Sequence, residues 1–157
     1  RDLSYSVWMQ PRPAPILYVL PGLSSHRLAS AFVSLAEEAY ERGFHAVTVS
    51  STFNYEFVRD GLSNQLPGYM DNDLYDLHYA LTRIRDDIEQ RYPGRQQKTA
   101  LMGVSNGGYQ TMWLAAEELR PGLEDFVKFD RYVAINPPIR LLHGMQQLEE
   151  VYNAPLA

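Results

Sequence analysis

Gly103-Val104-Ser105-Asn106-Gly107-Gly108 is the segment of this chain whose residue types and spacing can do covalent chemistry. It fits the pattern G-x-S-x-G. A serine at a sharp strand-to-helix turn exposes its hydroxyl for attack on a carbonyl carbon. Such a turn strains the serine's backbone, and bulk two positions away would collide with the neighbouring strand or helix, hence the glycines. The context agrees: Thr99-Ala100-Leu101-Met102 leads in as an apolar run, and a helical pattern leads out from Tyr109 to Leu119. The competing reading is a glycine-rich turn whose small residue was selected for fit alone.

A turn of this kind needs a sheet beneath it. Leu3 to Met9 alternates loosely and predicts a strand near a sheet edge. Pro11, Pro13 and Pro15 predict a stiff connector, because proline cannot donate within a central strand. Ile16 to Leu20 is continuously apolar, as expected of a strand buried on both faces, and Pro21-Gly22 stops it. Leu28, Phe32, Leu35 and Ala39 recur at helical spacing, with Gly43 as the stop. Phe44 to Val49 predicts the next strand. The polar stretch from Ser50 to Asn72 is too long for a plain loop, so a short helix or a functional cover is expected there.

Leu74, Leu77, Leu81, Ile84 and Ile88 form a clear helical stripe, ended by Tyr92-Pro93-Gly94. Lys98 to Met102 is the strand before the serine. Arg131 to Ile135 is one more strand, ended by Pro137-Pro138, and Leu141 to Tyr152 predicts a final short helix. Strands alternating with helices imply right-handed crossovers and a mostly parallel sheet in a three-layer α/β/α sandwich. No repeat, low-complexity tract or second domain is visible, so residues 1–157 are expected to form one domain, or part of one.

Composition narrows the function. At 45% hydrophobic and 21% charged, the chain reads as an ordinary soluble globular protein. A net charge of −5 argues against nucleic acid or anionic membrane as the main partner. No apolar run approaches the roughly 20 residues a membrane span needs. The chain contains no cysteine, which excludes disulfides and thiolate chemistry without choosing a compartment. It begins at Arg1 and shows no signal-peptide pattern, which leaves the compartment open: cytoplasmic, or exported if an upstream signal was removed.

With these elements in order, the chain resembles the α/β-hydrolase family, in its serine esterase and lipase-like members, from about Leu3 to Pro138. Gly103-Val104-Ser105-Asn106-Gly107-Gly108 carries most of the resemblance. Leu20-Pro21-Gly22-Leu23-Ser24-Ser25 carries the rest: it follows the strand where this family places its oxyanion loop, with Pro21 where a histidine is usual. Asn106-Gly107-Gly108 looks most like the esterase and depolymerase-type members. The resemblance implies Ser105 as nucleophile, with the backbone N–H groups of Leu23 and Asn106 as oxyanion donors. In this family the acid and then the histidine follow the nucleophile after further strands. Only about 22 residues follow Ile135. The resemblance therefore covers the N-terminal and central part alone, and implies a domain truncated after the strand that follows the nucleophile helix.

The expected function is a serine hydrolase of a carboxylic ester, less readily an amide, with its triad completed outside this chain. The alternatives are a non-catalytic or truncated binding module, and an acyltransferase using the same residues. No cofactor or metal is implied, the partner is a small ester-like molecule, and an open sheet edge would favour self-association. Ser24, His26, Tyr55 and Phe57 are candidates to line the site, the two aromatics competing with a small core beneath the long loop. His143 is the one histidine after Ser105, but its position suits a surface or cap residue better. His45 and His78 read as structural. Asp71, Asn72 and Asp73 precede a strong helix and read as caps rather than metal ligands. Asp86-Asp87 and Glu149-Glu150 read as solvated helix faces.

Overall fold

A computed structural model describes residues 3–118 and 120–154. Its strands are β1 (Tyr5–Trp8), β2 (Ala14–Leu20), β3 (His45–Val49), β4 (Gln96–Val104) and β5 (Arg131–Ile135). Its helices are α1 (Ser30–Glu41), α2 (Tyr55–Asp60), α3 (Met70–Arg91), α4 (Asn106–Glu117) and α5 (Leu141–Asn153). The strands form one sheet in the order β1-β3-β2-β4-β5. β3, β2, β4 and β5 run parallel, and β1 joins β3 antiparallel at one edge. This is the α/β sandwich with a mostly parallel sheet that the alternating pattern implies.

The unbroken apolar run of β2 follows from its central place. Leu17 and Val19 face one core cluster, where Ala36 and Ala39 of α1 cover the sheet. Ile16, Tyr18 and Leu20 face the other, which contains Leu77, Leu81 and Ile88 of α3 and Leu114 of α4. β5 differs: it is the far edge strand, and Val133 and Ile135 remain 39% and 38% exposed.

Several boundaries depart from expectation for identifiable reasons. Pro15 lies inside the central strand β2, not in a connector. The pairing with β4 shifts register between Ala14 and Ile16, and such an irregularity is where a missing N–H is tolerated. Leu28 stands outside α1, 54% exposed, because the helix begins at Ser30. α3 begins at Met70, so Asp71 and Asp73 occupy its first turn rather than precede it. There they suit the helix dipole, and the Asp73 carboxylate accepts the Gly68 N–H at 2.7 Å. The expected helix end at Leu119 lies outside the described residues. The long polar stretch does hold a short helix, α2. Among the described residues no helix is long and apolar enough to cross a membrane.

His78 of α3 is buried in the packing behind the sheet. Its Nε2 donates to the Val127 carbonyl at 2.7 Å, and its ring lies against Phe126. Burial holds its pKa below the usual 6.5, which the bond to Val127 opposes but does not outweigh. Below pH 6.5 the unfolded chain therefore takes up a proton here that the folded chain refuses, and stability falls as pH falls. Asp73 acts in the opposite sense, since burial raises its pKa above 3.8 and its contribution declines as pH rises past that value. Denaturant unfolding at pH 7 and pH 5 should show a loss that is smaller in His78→Gln, which keeps a donor for Val127 but does not titrate. An equal loss in both proteins would contradict the assignment.

Candidate functional site

Parallel pairing brings the two motif segments together. Leu20, the last residue of β2, is in register with Gly103 of β4. The chain leaving β2 and the chain leaving β4 thus emerge side by side at the carboxyl ends of adjacent strands, where open α/β sheets bind ligands. Gly22 lies so close that a Cβ added to it would stand 3.6 Å from the Ser105 Cβ.

Ser105 is the residue between β4 and α4. Its φ is 54° and its ψ −118°, a backbone conformation that costs of order 1–3 kcal/mol for a side-chain-bearing residue. Its N–H donates to the Ile135 carbonyl at 2.9 Å, and its carbonyl accepts from Tyr109. These bonds hold the turn between the ends of β4, β5 and α4. The side chain is exposed, and among the described residues its hydroxyl has no hydrogen-bond partner.

The three motif glycines permit this arrangement. A Cβ on Gly103 would overlap the Gly107 carbonyl and the Thr111 hydroxyl, well under 3.0 Å away. A Cβ on Gly107 would run into the backbone of Leu20 and lie 2.6 Å from the Pro21 carbonyl oxygen. Gly108 is less crowded, with the Gly103 and Ile135 carbonyl oxygens at 3.1 Å. α4 is therefore seated directly on the ends of β2 and β4. One side-chain bond ties it to the rest of the fold, Gln110 Nε2 to Thr52 Oγ1 at 2.8 Å, while Thr111 Oγ1 donates within the helix to the Gly107 carbonyl at 2.8 Å.

Asn106 is the first residue of α4, so its N–H belongs to the helical turn that lacks intrahelical partners. Its side chain is buried, and its Nδ2 has no partner among the described residues. Leu23 stands in the tight turn closed by Ser25 N–H to the Gly22 carbonyl at 3.2 Å, followed by Ser24 at φ 58°. Asn136 after β5 is also left-handed, at φ 47°. Strained residues thus follow β2, β4 and β5 at the same end of the sheet.

The other candidates separate. His26 is half-buried, with Nδ1 accepting from the Leu28 N–H at 3.1 Å and Nε2 3.4 Å from Glu56. His45 is fully buried, accepting from Gln10 N–H and donating to the Arg95 carbonyl. His143 lies on the exposed α5. None of the four histidines is hydrogen-bonded to Ser105 among the described residues. Tyr55 is 73% exposed under the Arg59 guanidinium. Phe57 does not line an open site: it is fully buried in the main core, against Gly61, so of its two readings the core one holds. Phe57→Ala should cost about 3–5 kcal/mol in thermal or denaturant unfolding, and Tyr55→Ala less than about 1 kcal/mol. Equal small effects would contradict this placement.

Sequence reading missed Glu56. Its carboxylate collects Ser50 Oγ at 2.6 Å and Arg27 Nε at 3.2 Å beside the His26 ring. Asn54 followed by Glu56 is a legible helix start, and Asn54 does cap α2 by accepting the Glu56 N–H. The pairing with Arg27 across 29 residues left no sequence signal. Among the described residues no group of three or more histidine, aspartate or glutamate side chains is placed to hold a metal ion.

Residues 4–126 match the family described as "Putative esterase". No curated protein matches the chain significantly. Among solved structures it resembles the Pyrococcus furiosus esterase Pf2001 at 17% identity and TM-score 0.61, over 97% of this chain and 52% of that one. It resembles Est1E from Butyrivibrio proteoclasticus with ferulic acid bound at 16% identity and TM-score 0.54, over 73% of this chain and 43% of that one. A dienelactone hydrolase from Anabaena variabilis matches at 20% identity and TM-score 0.52, over 74% and 51%. At these identities the likeness is one of fold, and the chain spans about half the length of the structures it matches. The family match covers most of the sequence and includes both the Pro21–Ser25 loop and the Ser105 turn: the chain belongs to this esterase family.

Proposed function

We propose that this chain carries the nucleophile and the oxyanion-binding loop of a serine hydrolase of carboxylic esters, within a single α/β domain whose remaining catalytic residues lie outside residues 1–157. The observation that carries the reading is Ser105: exposed, backbone-strained, at the start of α4 and packed against Gly22. The Ser105 hydroxyl attacks the ester carbonyl, and the alkoxide leaves as an acyl-enzyme forms. Water then releases the acid. Negative charge on the carbonyl oxygen is met by the N–H groups of Leu23 and Asn106, with the positive end of the α4 dipole behind the latter. A histidine base and an acid that orients it are supplied from beyond Ala157. Two facts support this: among the described residues no histidine engages Ser105, and the structural relatives are about twice as long.

The test is turnover of a short-chain aryl ester by a protein that includes the sequence beyond residue 157. Ser105→Ala should lower kcat by roughly 10⁴-fold or more while leaving the fold intact. Turnover that survives the substitution would defeat the reading.

A further inference from the structure

The chain from Ser24 to Arg27 is tethered at every residue. The Ser24 carbonyl accepts Asn54 Nδ2 at 3.1 Å, and the Ser25 carbonyl accepts the Ser51 N–H at 2.9 Å. His26 Nε2 lies 3.4 Å from Glu56. Arg27 donates its N–H to Ser50 Oγ at 3.0 Å, receives Thr48 Oγ1 on its carbonyl at 2.9 Å, and sends its guanidinium to Glu56 and to Ser6 Oγ. Ser50 Oγ in turn donates to Glu56 at 2.6 Å. One largely buried carboxylate, 16% exposed, therefore takes donors from the loop and from the end of the neighbouring strand.

We infer that Glu56 is a positioning residue that, through Arg27, Ser50 and His26, fixes the loop presenting the Leu23 N–H to Ser105. The inference rests on the serine hydrolase reading above and extends it to a residue outside both motifs. Two physical arguments favour it. Ser24 holds a left-handed backbone at φ 58°, and such a conformation persists in a non-glycine residue only where the surroundings over-determine it. α2, which carries Glu56, has only six residues, too few to be stable by itself, so its tie to the loop braces both. An oxyanion donor acts only within a narrow distance range, and a misplacement of about 1 Å costs on the order of 10²-fold.

The probe is phenylboronic acid, titrated against a protein that includes the sequence beyond residue 157 and followed by boron NMR. The Ser105 oxygen forms a bond to boron as its proton passes to solvent, giving a tetrahedral anion with an oxygen where the oxyanion would stand. Glu56→Gln should weaken adduct formation roughly 10- to 100-fold, with Glu56→Asp recovering part of the loss. Ser50→Ala, a milder change that frees the Arg27 N–H, should also weaken it. All variants are compared below their unfolding midpoints, so a purely structural role would lower the midpoint and leave adduct affinity unchanged. That result in Glu56→Gln, or in Ser50→Ala if Glu56→Gln does not fold, overturns the inference. Failure of the underlying reading looks different: the wild-type chain would form no adduct, or Ser105→Ala would form it equally well.

Discussion

Gly103→Ala is expected to abolish the folded state or to cost at least about 4 kcal/mol, among the largest effects a methyl group can have. A Cβ at this position meets the Gly107 carbonyl and Thr111 of the helix packed on β4, and two of the three nearest atoms are backbone. No rotamer change relieves such a clash, so α4 has to move off the sheet. Gly107→Ala is expected to be comparably severe, because its Cβ meets the backbone of Leu20 and Pro21. Gly108→Ala should be milder, its nearest neighbours standing at 3.1 Å, and Gly22→Ala should be close to neutral for stability with its nearest atom at 3.6 Å. Denaturant unfolding of the four variants measures this order. A mild Gly103→Ala or a severe Gly22→Ala would contradict the seating of α4 on the ends of β2 and β4.

The second large effect concerns turnover by residues 1–157 alone. On the proposed reading the chain holds a nucleophile and two oxyanion donors without the base. General acid–base catalysis contributes roughly 10²–10⁴-fold, so the chain should hydrolyse a short-chain aryl ester slower than a protein with the complete site by about that factor. The residual rate need not vanish, since an oxyanion site alone leaves roughly 10³–10⁴-fold over water in an otherwise intact enzyme. Robust turnover lost in Ser105→Ala would show that a base lies within this chain, and His143 would be the first residue to substitute. The same chain should self-associate in size-exclusion chromatography. β5 is an edge strand with exposed Val133 and Ile135, and α5 exposes Leu142, Met145, Leu148 and Val151. A strictly monomeric elution would count against that part of the account.

The sheet was legible because its strands are continuously apolar where both faces are covered and its helices keep a regular stripe. β5 was legible to the residue, Arg131 to Ile135, because Pro137-Pro138 ends its apolar run. The misplacements have local causes. Pro15 was excluded from a strand by a rule that a register shift suspends. Leu28 fitted a helical spacing by coincidence, because the chain is still held by Ser50 and Thr48 at Arg27. At the candidate site, the serine turn was legible because close backbone approach demands glycine, and glycines can be counted. Phe57 was ambiguous because aromatic residues in a long loop serve pockets and small cores alike. Glu56 was invisible: its bond to Arg27 joins two segments that only the parallel pairing of β2 and β3 brings together.

The central claim is that Ser105 is a nucleophile, and covalent labelling tests it most directly. A protein that includes the sequence beyond residue 157 is incubated with a fluorophosphonate, digested, and the modified peptide located by mass spectrometry. The account predicts a phosphonyl group on Ser105, attached faster than to any other serine or tyrosine of the folded chain and lost when the chain is unfolded first. Labelling spread over other side chains with Ser105 unmodified, or equal labelling of Ser105 in the folded and unfolded chain, would contradict it.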